Sequence, residues 1–152
     1  VPDTLALPGD GLRIETGPVE AAVLFPSLQT PATGAVGKRA GVCTPGPRTL
    51  CLLEGRIQVE VDFAAPDGAA GPAQAVPDTS NTGFFWFFNA ENLELAVKVL
   101  DGRSVNGHYW VFWGSLSDVH YTLTVTDTET GARRTYLNPQ SNFCGGADIE
   151  AL

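Results

Sequence analysis

The amino-acid sequence predicts an all-β protein, an antiparallel β-sandwich (Ig-like or related) with an extended N-terminal arm. Three observations carry that prediction. Beyond residue 50, apolar residues recur at every second position in several short runs, the period of a half-buried strand. Each run is bounded by Gly, Pro, Asn or Asp, which supply turns. Nowhere does an apolar pattern of helical period last three turns. A length of 152 residues suits one domain with room for an arm.

The arm comes first in the chain. Seven of the 11 prolines lie between Pro2 and Pro47, so residues 1–48 hold only short extended candidates at 12–15 and 19–25. The second of these, with Val19, Ala21, Val23, Leu24 and Phe25, is an apolar segment able to lie on a sheet edge, its own or a neighbour's.

Residues 49–152 form the predicted sandwich core and C-terminal tail. In 56–63, Ile57, Val59, Val61 and Phe63 alternate with Arg56, Gln58, Glu60 and Asp62, which makes one buried and one wet face. The stretch 64–83, rich in Ala, Gly and Pro, is long enough to cross between sheets. The run 84–88 is aromatic throughout and suits a central strand covered on both faces. After a turn at 89–92, Leu93, Leu95, Val97 and Val99 alternate with Glu94, Ala96 and Lys98. Asp101-Gly102 and Asn106-Gly107 are tight-turn signals, and the second launches 108–113, again apolar on both faces. In 119–126, Val119, Tyr121, Leu123 and Val125 face inward while His120, Thr122, Thr124 and Thr126 face water. Gly131 fits a left-handed bulge position before 132–137, and Asn138-Pro139 ends that strand. The alternative architecture is a small closed barrel.

Composition bounds the function. Nine Lys and Arg against 17 Asp and Glu give a net charge of −8, so no basic stripe exists to displace phosphate counterions and no nucleic-acid partner is expected. The same acidity argues against docking on anionic lipid, and no apolar run approaches a membrane span, so no insertion is expected. Methionine is absent and the chain opens at Val1-Pro2, which reads as a processed start.

Cys43, Cys51 and Cys144 match no zinc or redox spacing and leave one disulfide plus one thiol. Cys43 with Cys51 would close a short turn; Cys51 with Cys144 would tie the first long strand to the tail. The sequence leaves the pairing open.

Catalysis finds little footing. His108 opens a strand and His120 lies on a polar face, where surface or capping roles suffice. No Gly-x-Ser-x-Gly elbow exists, and Ser115 lacks its strand-to-helix context. Glu60, Asp62, Glu91 and Glu94 offer acidic pairs only as any acidic sheet face does. No metal site and no cofactor are expected. Calcium is the one ion the loops leave open, through Asp67-Gly68, Asp78 with Asn81, and Asp127 with Glu129, none of them in EF-hand spacing.

The aromatic residues are the least generic feature. If one parity of the two aromatic strands faces solvent, its rings form a platform for sugar rings or a partner's apolar patch. Candidates are Trp86 with Trp110, or Tyr109 with Trp113, because residues of one parity share a face. If both parities are covered, the rings are core.

Several motifs in order resemble a known domain: Leu50-Cys51-Leu52 with Gly55-Arg56; the run from Gly83 to Phe88; Val97 to Gly102; Val105 to Phe112; and Tyr121 to Thr128. Together, over roughly residues 49–138, they resemble an uncharacterised β-rich domain that recurs in secreted bacterial proteins. That resemblance implies export and assigns no catalytic residues. Some of its members carry Cys where this chain has Arg103.

The sequence thus leads to a secreted, non-catalytic module acting as a structural or adhesive unit, its partner a copy of itself or another extracellular protein. Strand addition by the arm would assemble such a module into an extracellular fibre. The alternative is a carbohydrate-binding module that meets polysaccharide on an exposed aromatic platform. A weaker third is a protease inhibitor presenting the 64–80 loop.

Overall fold

A computed structural model describes residues 41–152 of the chain. The proposed strand-exchange residues Val19, Ala21, Val23, Leu24 and Phe25 lie outside the described residues. The described part is two antiparallel sheets packed face to face, a β-sandwich. Among the described residues no helix is long and apolar enough to cross a membrane.

The first sheet is built on β2 (Ile57–Ala64) and β8 (His120–Asp127), paired antiparallel along eight residues from Ile57 opposite Asp127 to Ala64 opposite His120. On the far side of β2 lie β1 (Leu50–Leu52), against its first half, and β3 (Ala70–Pro72), against its last residues. β9 (Arg133–Asn138) forms the other edge, on β8. The second sheet runs in the order β10 (Gly146–Asp148), β7 (Tyr109–Ser115), β6 (Leu95–Asp101), β5 (Thr82–Trp86), β4 (Gln74–Pro77). Each sheet keeps two distinct edges, which sets a sandwich apart from a closed barrel.

Alternation decides what is buried. Ile57, Val59 and Val61 on β2 meet Val125 and Leu123 on β8, and face Leu95, Val97, Val99 and Val111 of the second sheet, all without solvent contact or nearly so. Each such side chain, fully removed from water, contributes roughly 1.5–3 kcal/mol. The Thr residues of β8 stay at the surface as the pattern predicts. Gly131, at φ 78°, occupies the left-handed position expected before β9.

Four features differ from the sequence expectation. The aromatic run is not one two-sided central strand: β5 stops at Trp86, and the chain bends so that the Phe87 ring stacks on Phe63 at 4.8 Å while Phe88 is 49% exposed. A run apolar at every position carries no parity, so its end was invisible. The stretch 64–83 is not a bare loop; it contains β3 and β4, and the chain changes sheets at the fully buried Ala73. The two tight-turn signals Asp101-Gly102 and Asn106-Gly107 bracket a single helical turn, α1 (Arg103–Asn106), which the sequence did not show, with Gly107 left-handed at its end. The tail, read from the sequence without a strand, supplies one: β10 pairs with β7, and Leu152 and Ala151 exchange backbone hydrogen bonds with Tyr109.

Candidate functional site

Strand register divides the aromatic residues between two faces of the second sheet. Phe84 lies opposite Ala96, which lies opposite Gly114; Lys98 lies opposite Phe112, and Leu100 opposite Trp110. These residues, with Trp86 and with Val76 on β4, share the face turned away from the first sheet. All of them are partly exposed apart from Lys98, which is exposed. Phe85, Tyr109 and Trp113 have the opposite parity and point inward.

The four aromatic candidates therefore do not form one platform. Trp86 and Trp110 share the outer face. Tyr109, 3% exposed, is a core residue, which corrects its assignment as a ligand-contacting ring. Trp113 faces inward at the rim, where its indole packs on Tyr136 with centroids 4.3 Å apart. Tyr109 and Trp113 do share a face, as their spacing requires, but it is the inner one.

Trp110 is held in place. Its Nε1 donates to Asn106 Oδ1 at 2.9 Å, and its indole lies on Gly102, where any Cβ would collide with the ring. The helical turn α1 supplies Asn106, so the connection between β6 and β7 fixes the ring's plane. On the same face, Lys98 Nζ sits 6.0 Å from the centroid of Phe112.

A second concavity, not foreseen from the sequence, lies at one end of the sandwich. It has a volume of about 340 Å³ and is lined by Leu53, Glu54, Arg56, Ser80, Asp101, Arg103 and Tyr109. The guanidinium groups of Arg56 and Arg103 lie 5.5 Å and 4.7 Å from the Tyr109 centroid. Both cations are engaged. Arg56 donates to both oxygens of Asp127, at 2.6 and 2.9 Å, and also to Glu129. Arg103 donates to both oxygens of Asp101, at 2.9 and 2.6 Å. The hydrogen bonds from Arg103 lower the Asp101 pKa to about 2. Burial raises the Asp127 pKa, but hydrogen bonds from Arg56 and Thr130 outweigh it and leave the group below its ordinary value. With both guanidinium groups already paired to carboxylates, the cleft offers no unpaired guanidinium pair to an anion.

The remaining candidates do not gather at one place. Cys43 and Cys51 form the disulfide, Cα to Cα 5.7 Å, and Cys144 is an exposed free thiol. Such a bridge is compatible with an oxidising environment. Of the loop oxygens considered for calcium, Asp127 and Glu129 hold Arg56, Asp67 caps the Ala69 amide, and Asn81 accepts from Thr79 and Thr82. Among the described residues no cluster of three or more His, Cys, Asp or Glu gathers in metal-binding geometry. His108 and His120 are both partly exposed, and Glu94 is buried against Asn92.

Compared with known proteins, the chain matches no family model, no curated protein and no solved structure, so geometry alone carries its functional reading.

Proposed function

We propose that the chain is a secreted, non-catalytic β-sandwich module, a structural or adhesive unit that works by contact through the outer face of its second sheet. One observation carries this. The inward parity of β5, β6 and β7 already fills the core, yet the outward parity gathers five further large apolar side chains, Phe84, Trp86, Leu100, Trp110 and Phe112, each partly exposed, on one face. Export is supported by the Cys43–Cys51 disulfide.

A self-assembling form of the same function has separate support. β9 is the longest edge strand of the sandwich, six residues paired on one side only, and it could accept an added strand such as residues 19–25 of another copy.

Two measurements on the full chain test these ideas. Adsorption to cell-envelope and matrix material from the native source is expected for the wild type and lost in Trp86→Ala/Trp110→Ala; equal adsorption removes the outer face from the function. Sedimentation velocity with and without residues 1–25 addresses assembly, and an unchanged monomer mass in both rules out the fibre.

A further inference from the structure

We propose that the outer face of the second sheet binds an uncharged polysaccharide laid obliquely across β5, β6 and β7, with Trp110 as its fixed stacking platform. The proposal rests on the contact function above and names its partner.

The layout suits an extended chain. Phe84 is level with Gly114, so Trp86 and Trp110 stand about six residues apart along the strands and two strands apart across them. At about 3.4 Å per residue and 4.8 Å per strand, that line is roughly 22 Å long. Phe84 and Phe112 flank it, and its middle crosses β6 between the small Ala96 and the exposed Lys98. A pyranose presents an apolar, weakly positive C–H face that packs on the electron-rich face of an aromatic ring.

Trp110 is prepared for such packing. A partly exposed tryptophan ordinarily samples several rotamers and must be ordered on binding. Here the Asn106 hydrogen bond and the Gly102 seat have fixed the ring in advance, so stacking costs little further freedom.

Charge and size select the partner class. Among the outward-facing strand residues the only charge is Lys98. With no carboxylate there, the face has nothing to hold a polycation, while a chain of net charge −8 repels polyanions. The twelve outward-facing strand residues, each on about 33 Å² of sheet, make a face of roughly 400 Å², about half of the ~800 Å² each partner buries in a standard protein interface. A narrow, neutral, hydroxyl-rich chain fits, with Gln74, Thr82 and Lys98 available to its hydroxyls.

The test is retention of the full chain on cellulose, chitin, insoluble xylan and alginate gel, with Trp110→Ala, Trp110→Phe and Asn106→Ala beside the wild type. Thermal melts identify any variant that fails to fold, and Trp110→Phe keeps the proposal testable if Trp110→Ala does. Retention on at least one of the three neutral polymers, insensitive to added salt, is expected. Trp110→Ala should weaken it about tenfold or more, and Trp110→Phe and Asn106→Ala by less. Salt-sensitive retention on alginate alone overturns the uncharged partner and leaves the contact function standing. So does absence of retention on all four when sedimentation shows self-association that Trp110→Ala abolishes, the face then being an interface between copies. Retention indifferent to all three variants places binding elsewhere. With neither retention nor self-association, both the proposal and the contact function through this face fall.

Discussion

Arg56 and Asp127, 71 residues apart in sequence, are joined by two parallel hydrogen bonds that tie the start of β2 to the end of β8. The Asp127 side chain is 5% exposed and that of Arg56 23%, so the pair is partly buried. Replacing Asp127 with Asn leaves the guanidinium with Glu129 as its remaining carboxylate and should cost about 1–2 kcal/mol in urea unfolding at neutral pH. The sign with pH follows from the lowered carboxyl pKa. Its stabilisation is complete above the ordinary value of 3.8 and is lost as pH falls through the lower folded value. The gap between wild type and Asp127→Asn should therefore close on acidification; a gap that stays constant to low pH would contradict the ion pair's role.

The cysteines yield a count as well as an energy. One thiol, Cys144, should react with maleimide in the native protein, and three only after reduction. The bridge closes a sequence separation of 8, for which loop-closure entropy gives about 2.5 kcal/mol, so Cys43→Ala/Cys51→Ala should lose about that much stability. Two reactive thiols in native, unreduced protein would contradict the pairing.

Tyr136 makes the alkaline limb informative. Burial first, and then its hydrogen bond to Asp148 at 2.8 Å, raise its hydroxyl above the ordinary pKa of 10. Because the folded value is the higher one, its contribution is whole below pH 10 and fades as pH rises toward the folded value. Tyr136→Phe keeps the ring on Trp113 but drops the hydrogen bond; a loss of about 1–2 kcal/mol is expected at neutral pH. Ultraviolet titration should lose one late-ionising tyrosine in the variant, and an unaltered titration would refute the assignment.

Gly102 provides a structural check on Trp110. A methyl group there occupies the place of the indole, so Gly102→Ala must expel the ring. Tryptophan emission should shift to the red and gain access to acrylamide, with the thermal midpoint changed by only a few degrees. An unshifted spectrum would mean that the ring does not rest on Gly102.

The fold was legible wherever alternation was clean. β2, β6 and β8 announced their inward faces because Ile57, Leu95 or Leu123 is separated from the next buried residue by one tolerant of water. Where every residue was apolar, as from Phe84 to Phe88, the pattern gave a strand but neither its end nor its outer face. Strands of three or four residues such as β3, β4 and β10 were hidden, since Gly, Pro and Asp read as loop until a partner strand supplies their hydrogen bonds. The site was half visible. Parity correctly grouped Trp86 with Trp110 and Tyr109 with Trp113, but which group faced solvent depends on where the other sheet lies. The end cleft gave no signal, because Arg56, Arg103 and Tyr109 meet only through tertiary packing.

The sheet change at Ala73 has a mechanical consequence. Residues 70–77 run without interruption from one sheet into the other, and the amide of Ala75 bonds Pro47 beside them, so one long side of the sandwich is stitched like the spine of a book. The opposite side, where β9 faces β10, is joined by the longer connection 139–145, by the Trp113–Tyr136 contact and by the Tyr136–Asp148 hydrogen bond. Under load or in rare thermal openings the covers should part at that fore-edge first, with β10 and β9 shedding amide protection while the spine stays shut.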